Sequence, residues 1–144
     1  MNILKLLSLS LILFLLPACS SEEQSPSLVY EEYNSKVIQG INYDDDKAYY
    51  TKRKQAEVES KIPQYMETMN KSRDEVIQVY LEFSREVAKC KEIQLVKEVI
   101  DRNTAMLEYS QKDICGNGSE SQEKQSIRMI NEGGWKIDEI EISL

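Results

Sequence analysis

The chain predicts an α+β fold, with three N-terminal helices packed on a four-stranded antiparallel sheet. Two observations carry this. Apolar residues recur at spacings of three and four as far as about Ala88. Beyond Cys90 the pattern changes to short β-branched runs, separated by turn residues at Arg102-Asn103 and Gly133-Gly134. Helices first and strands afterwards is the segregated layout of α+β domains.

Ser25-Pro26 opens the first helix, because proline is tolerated in a first turn. Val29, Tyr30, Tyr33 and Val37 then share one face, and Gly40 ends the segment. A second helix is expected from about Asn42, with Asp44-Asp45-Asp46 at the positive end of its dipole. Ala48, Tyr49, Ala56 and Ile62 give it a thin apolar stripe, and Pro63 is expected to stop or kink it. Tyr65, Met66 and Met69 make a short connection. The third helix has the clearest signal. Ser72-Arg73-Asp74-Glu75 is a capping box, and Val76, Val79, Tyr80, Phe83 and Val87 fall on one face.

Ile93–Ile100 and Thr104–Ile114 read as the first two strands. A two-residue hairpin at Arg102-Asn103 sets Cys90 directly opposite Cys115, Lys97 opposite Glu108 and Val96 opposite Tyr109. Glu92 would then meet Asp113, a like-charge conflict that a bulge or fraying would relieve. Alternation is imperfect here and leaves the faces unassigned. A polar loop follows from Gly116 to about Gln122. Residues 123–131 and Trp135–Ile142 form the last hairpin around Gly133-Gly134.

Leu16-Pro17-Ala18-Cys19 closes an apolar run that begins at Leu6, behind Lys5. A run of about eleven residues suits a signal sequence and is short for a bilayer span. The segment resembles a bacterial lipoprotein signal peptide. The resemblance implies cleavage before Cys19 and a diacylglycerol on its thiol. Ser20, where an aspartate would retain the protein at the inner membrane, implies the periplasmic face of the outer membrane. The expected organisation is a leader at 1–18, a lipidated tether at 19–26 and one domain at 27–144.

The chain carries 18 basic and 25 acidic residues, formally −7, and loss of Lys5 with the leader makes it more acidic. That balance argues against nucleic acid and anionic membrane as main partners. There is no histidine. The usual zinc ligand and neutral-pH base are missing, and serine–histidine and cysteine–histidine nucleophiles are excluded. With Cys19 given to lipid, an exported chain is expected to pair Cys90 with Cys115. The enclosed loop of about 25 residues gives roughly 3–4 kcal/mol by chain entropy.

Asn42-Tyr43-Asp44, Lys47-Ala48-Tyr49-Tyr50 and the run Met129-Ile130-Asn131-Glu132-Gly133-Gly134-Trp135-Lys136-Ile137-Asp138 resemble the nuclear-transport-factor-2-like superfamily, and within it small envelope lipoproteins. The resemblance implies a cone of helices against a curved sheet. Its members include isomerases, dehydratases, binding modules and assembly domains, so it does not choose a function. It also implies a homodimer through the sheet as one arrangement.

Tyr33, Tyr80, Tyr109 and Trp135 are the candidate lining of a pocket in that cone, set against ordinary core packing. The superfamily's isomerases use an aspartate with tyrosine donors. The aspartates weighed for that role are Asp113, beside the polar loop, and Asp138, which strand alternation directs to solvent. Neither has an apolar enclosure in the sequence, so no catalytic residue is assigned. Asp44-Asp45-Asp46 lacks the ligand spacing of a calcium loop and reads as helix-start acidity. Lys52-Arg53-Lys54 reads as a solvated helix face. No cofactor or metal is implied. The expected function is a lipid-anchored periplasmic module that binds a protein or an apolar small molecule, without catalysis. The alternatives are a small isomerase or dehydratase with a tyrosine–aspartate pocket, and a structural domain of an envelope assembly.

Overall fold

The computed structural model describes residues 24–116 and 123–143. The expected leader, Cys19, the start of the tether and most of the polar loop lie outside the described residues. The fold is α+β. Helices α1 (Pro26–Gln39), α2 (Tyr43–Ala48), α3 (Lys52–Met69) and α4 (Arg73–Lys89) precede strands β1 (Lys91–Asp101), β2 (Thr104–Asp113), β3 (Glu123–Asn131) and β4 (Trp135–Ser143). The strands form one open antiparallel sheet in chain order. Among the described residues, no helix is long and apolar enough to cross a membrane.

Ser25, at the end of the expected tether, already caps α1 and accepts from the Leu28 amide at 3.3 Å. Glu98 reaches across from β1 and accepts from the Ser27 amide and hydroxyl, both at 3.1 Å. A carboxylate here answers the positive end of the helix. Gly40, at φ 102°, ends α1 in the left-handed region.

The described residues hold four helices, where three were expected. The chain leaves α2 at Tyr49 because its backbone pairs with the free edge of β4. Thr51 N donates to Ile137 O at 3.0 Å, and Ile137 N donates to Tyr49 O at 2.8 Å. Thr51 then caps a new helix, accepting from Lys54 N at 3.1 Å. Pro63 neither stops nor divides α3. It lies on the exposed side, where water can satisfy the carbonyl that proline leaves free. Tyr65, Met66 and Met69 belong to α3, which ends at Asn70 in the left-handed region. In α4 the capping box forms as read, with Ser72 N donating to Glu75 Oε2 at 2.9 Å.

From Asp101↔Thr104 to Lys97↔Glu108 the hairpin keeps its expected register. A bulge between Leu95 and Lys97 then shifts it by one, with Val96 as the extra residue. Tyr109 therefore faces Leu95, not Val96, and Glu92 meets Lys112, not Asp113. Cys90 carries the Ile114 amide on its carbonyl at 2.9 Å. Its sulfur still bonds that of Cys115, at 2.08 Å with Cα atoms 5.1 Å apart.

Tyr30, Tyr33 and Val37 of α1 pack on Ala105, Leu107 and Tyr109 of β2, Ile127 and Met129 of β3, and Trp135 and Ile137 of β4. The strand residues in this set from β2 and β3 are at most 1% exposed. Each large side chain so buried stabilises the fold by roughly 1.5–3 kcal/mol.

Candidate functional site

α4 does not bury the stripe that its sequence predicts. Val76 is buried, but Val79, Val87 and Phe83 are 37%, 39% and 69% exposed. Phe83 and Val87 instead form one wall of a cleft of about 260 Å3 between α4, α1 and the sheet. Ile93, Ile140 and Ile142 supply the opposite apolar wall, and Ile142 is 58% exposed. At the other end of the lining stand the buried residues Tyr33, Tyr50, Gln111 and Gln125, with half-buried Tyr80. The cleft thus has an apolar mouth and a polar floor.

The floor rests on Asp46. α2 is short and enters the interior, so that Asp44 and Asp45 face water while Asp46 is 3% exposed. Tyr33 Oη donates to Asp46 Oδ1 at 3.1 Å and lies 2.6 Å from Tyr50 Oη. Tyr80 Oη lies 3.4 Å from Asp46 Oδ2. Among the described residues, no cation forms an ion pair with this carboxylate. Burial pushes it up to about 6, against the lowering pull of the Tyr33 and Tyr80 hydrogen bonds. Burial, and then their negative neighbours, push Tyr33 and Tyr50 far above the ordinary phenol range, so both keep their protons. Asp46 itself stands behind the tyrosines and is not part of the cleft's lining.

Gln125 has the other unusual environment. Among the described residues its Oε1 is buried with no hydrogen-bond partner. Buried polar atoms are nearly always paired, so this orphan acceptor is an exception within a residue that lines the cleft.

Of the four residues proposed from sequence, the structure brings Tyr33 and Tyr80 together here. Tyr109 is core, 1% exposed, with its ring 5.3 Å from that of Tyr30. Trp135 lines a different, more polar groove with Val29, Tyr49 and Lys136. Sequence reading missed Asp46, Tyr50 and Gln125. The spacing Asp46–Tyr50 is one helical turn, but the dipole explanation of the acidic run concealed the one acid that turns inward.

Asp138 corrects an expectation. It is 2% exposed, not solvated. β4 carries a bulge there, with Ile137 opposite Met129 and Glu139 opposite Arg128, so alternation fails. Thr51 Oγ1 and Arg53 Nε donate to Asp138 Oδ1, each at 2.8 Å, and Arg128 Nη2 reaches Oδ2 at 2.7 Å. Burial pushes this carboxyl up, but Arg53, Thr51 and Arg128 together outweigh it and hold it below the usual range. Arg53, expected on a solvated face, is thus committed to the sheet. Asp113 accepts from the Cys115 amide at 2.9 Å and takes no part in the cleft. Among the described residues, no group of three acids or cysteines is placed to hold a metal. No protein family, no curated protein sequence and no solved structure matches this chain.

Proposed function

We propose that this protein is a lipid-anchored envelope module that binds a small apolar molecule in the cleft beneath α4. The single observation that carries the reading is the cleft itself. Phe83, Val87 and Ile142 stay open to solvent around buried tyrosines and an unpaired Gln125 oxygen. Ligand sites combine an apolar lining with a few convergent polar groups, whereas scattered exposed apolar residues do not. At about 260 Å3 the cleft suits a ligand below drug size, since drug-sized pockets span roughly 300–1,000 Å3. The anchor rests on the leader and Cys19. The helix-then-sheet order supports the nuclear-transport-factor-2-like reading with its cone. A homodimer through the sheet finds less support, because the face turned from the helices exposes Glu108, Lys112, Lys124 and Glu141.

One observation favours an enzyme: Asp46, poised near 6 among tyrosines, has the chemistry of a proton carrier. Against it, both carboxylate oxygens face tyrosine hydroxyls and neither lies in the cleft's lining. Binding without catalysis is the better reading.

Native mass spectrometry of the protein taken from cell envelopes tests this. A small-molecule adduct is expected on the wild type and is lost in Val87→Trp, which fills the mouth. An adduct retained by Val87→Trp contradicts the cleft. Cys19→Ser tests the anchor: the protein should leave the membrane fraction, since stable anchoring needs acyl chains. A cleaved Cys19→Ser protein that stays membrane-bound contradicts it.

A further inference from the structure

We infer that this protein pairs with a second copy of itself along the free edge of its sheet, antiparallel over residues 97–101 of β1. The inference is independent of the cleft, which takes its lining from the other end of β1, at Lys91 and Ile93.

The two edges of the sheet differ. The edge of β4 is met by the backbone of Tyr49 and Thr51 at Ile137. β1 is the other outer strand, and among the described residues no strand pairs with its free side. The hairpin sets the polarity of that side. Asn131 N donates to Asn103 O at 2.8 Å, so by alternation Ala105 and Leu107 bond β3, while Thr104, Met106 and Glu108 bond Asp101, Val99 and Lys97. The N–H and C=O groups of Glu98 and Ile100 therefore point out of the sheet. Unpaired edge groups of this kind are a template for another strand.

A two-fold pairing must bring these groups together and keep each face on its own side. Beyond the bulge at Val96, three registers do so. Centring on Glu98 sets two carboxylates against each other. Centring on Ile100 sets Asp101 against Val99 and runs at once into the turn, where Arg102 has φ 58°. Centring on Val99 uses the whole regular stretch between bulge and turn. Glu98 then bonds Ile100 of the second copy, Val99 meets Val99, and Lys97 meets Asp101. Symmetry makes the Lys97–Asp101 pair twice, with opposite charges directly across. The Glu98 carboxylate stays on Ser27.

The apolar side chains agree with this register. Val99 and its cross-strand neighbour Met106 are exposed on the face turned from the helices. Pairing joins them and their copies in one row across the seam. Glu108, Lys112, Lys124 and Glu141 keep their water, so edge pairing avoids the charges that oppose packing face to face. The bulge ends the pairing on one side, as bulges do on natural edges.

Val99→Cys in the purified full chain, under mild oxidation, tests the inference. On the two-fold axis its Cα atoms stand about 4.5 Å apart, within reach of a disulfide. Met106→Cys, similarly exposed on the same face, lies about 14 Å from its copy. Val99→Cys is expected to give at least about tenfold more disulfide-linked dimer than Met106→Cys. Adding Asp101→Lys, which sets Lys97 against a lysine, should cut that yield several-fold, and adding Lys97→Asp as well should restore it. A zero-length carbodiimide link between Lys97 and Asp101 reads the same register without any substitution. Within one chain the two are about 13 Å apart along the strand, so this link forms only between copies. Equal dimer yields from Val99→Cys and Met106→Cys, a yield that the charge swap does not restore, or no Lys97–Asp101 link overturns the inference.

Discussion

Two buried aspartates divide this molecule. Asp138 sits between two arginines and a threonine at the β4 bulge, and its carboxyl is held below the usual range. Asp46 sits among tyrosines with no cation paired to it among the described residues, and its carboxyl is raised to about 6. Both are nearly inaccessible, at 2% and 3%. The difference is countercharge. At Asp138 the countercharge joins the start of α3 to β3 and β4, and the corner is closed. At Asp46 the missing countercharge leaves a costly group that does little for stability, and the tyrosines bonded around it line the open cleft. A local conflict of this kind is what a functional site leaves in an otherwise consistent fold.

Breaking the closed corner should have the largest effect. Asp138→Ala leaves Arg53, Arg128 and Thr51 without their shared acceptor. The arginines are partly solvated and recover some of the loss. A destabilisation of about 2–4 kcal/mol is expected in urea unfolding. A change under about 1 kcal/mol would show that this corner is not a structural anchor.

Next is the disulfide, which ties the start of β1 to the end of β2 beside the open half. Removing both cysteines as serines should cost about 3 kcal/mol. Amides of Ile93 and Gln111 in the cleft wall should exchange faster, while those of Leu107 and Ile127 should not.

Asp46→Asn should act in the opposite direction. A carboxyl whose folded pKa is raised binds its proton more tightly when folded. Its contribution is therefore best below about pH 4, declines as pH rises towards about 6, and stays unfavourable above. Asparagine removes that decline, so the variant should gain up to about 3 kcal/mol at pH 7 and flatten the profile between about pH 4 and 6. Asp138 titrates the other way, with its stabilisation lost as pH falls below about 4. If Asp46→Asn destabilises the protein at pH 7 as Asp138→Ala does, the comparison fails. The smallest effect belongs to the mouth. Phe83→Ser should change stability by less than about 0.5 kcal/mol, because the ring is 69% exposed.

Much of the fold was legible. Helix caps at Ser25 and Ser72, the strand order and the cysteine pair all depend on local chemistry or on one hairpin. The break at Tyr49–Thr51 was not legible, because its cause is pairing with a strand about 87 residues away. The two bulges were equally hidden: one took Tyr109 from its expected partner Val96, and the other moved Asp138 from water to the interior. Half of the site was visible. Tyr33 and Tyr80 lie on helical stripes, while Asp46 hid within an acidic run that had a sufficient local explanation. The α4 stripe was read correctly as apolar, but a sequence pattern does not say whether a face is covered.

The central claim is that the open half beneath α4 binds a ligand and the closed half does not. Tyrosine-ring NMR of the full chain during titration with borneol, a compact apolar alcohol below drug size, tests it most directly. The account predicts saturable shifts at Tyr33, Tyr50 and Tyr80, with Tyr43 and the core ring Tyr109 unmoved. Shifts spread evenly over all the tyrosines, or none at Tyr33, Tyr50 and Tyr80, would contradict it.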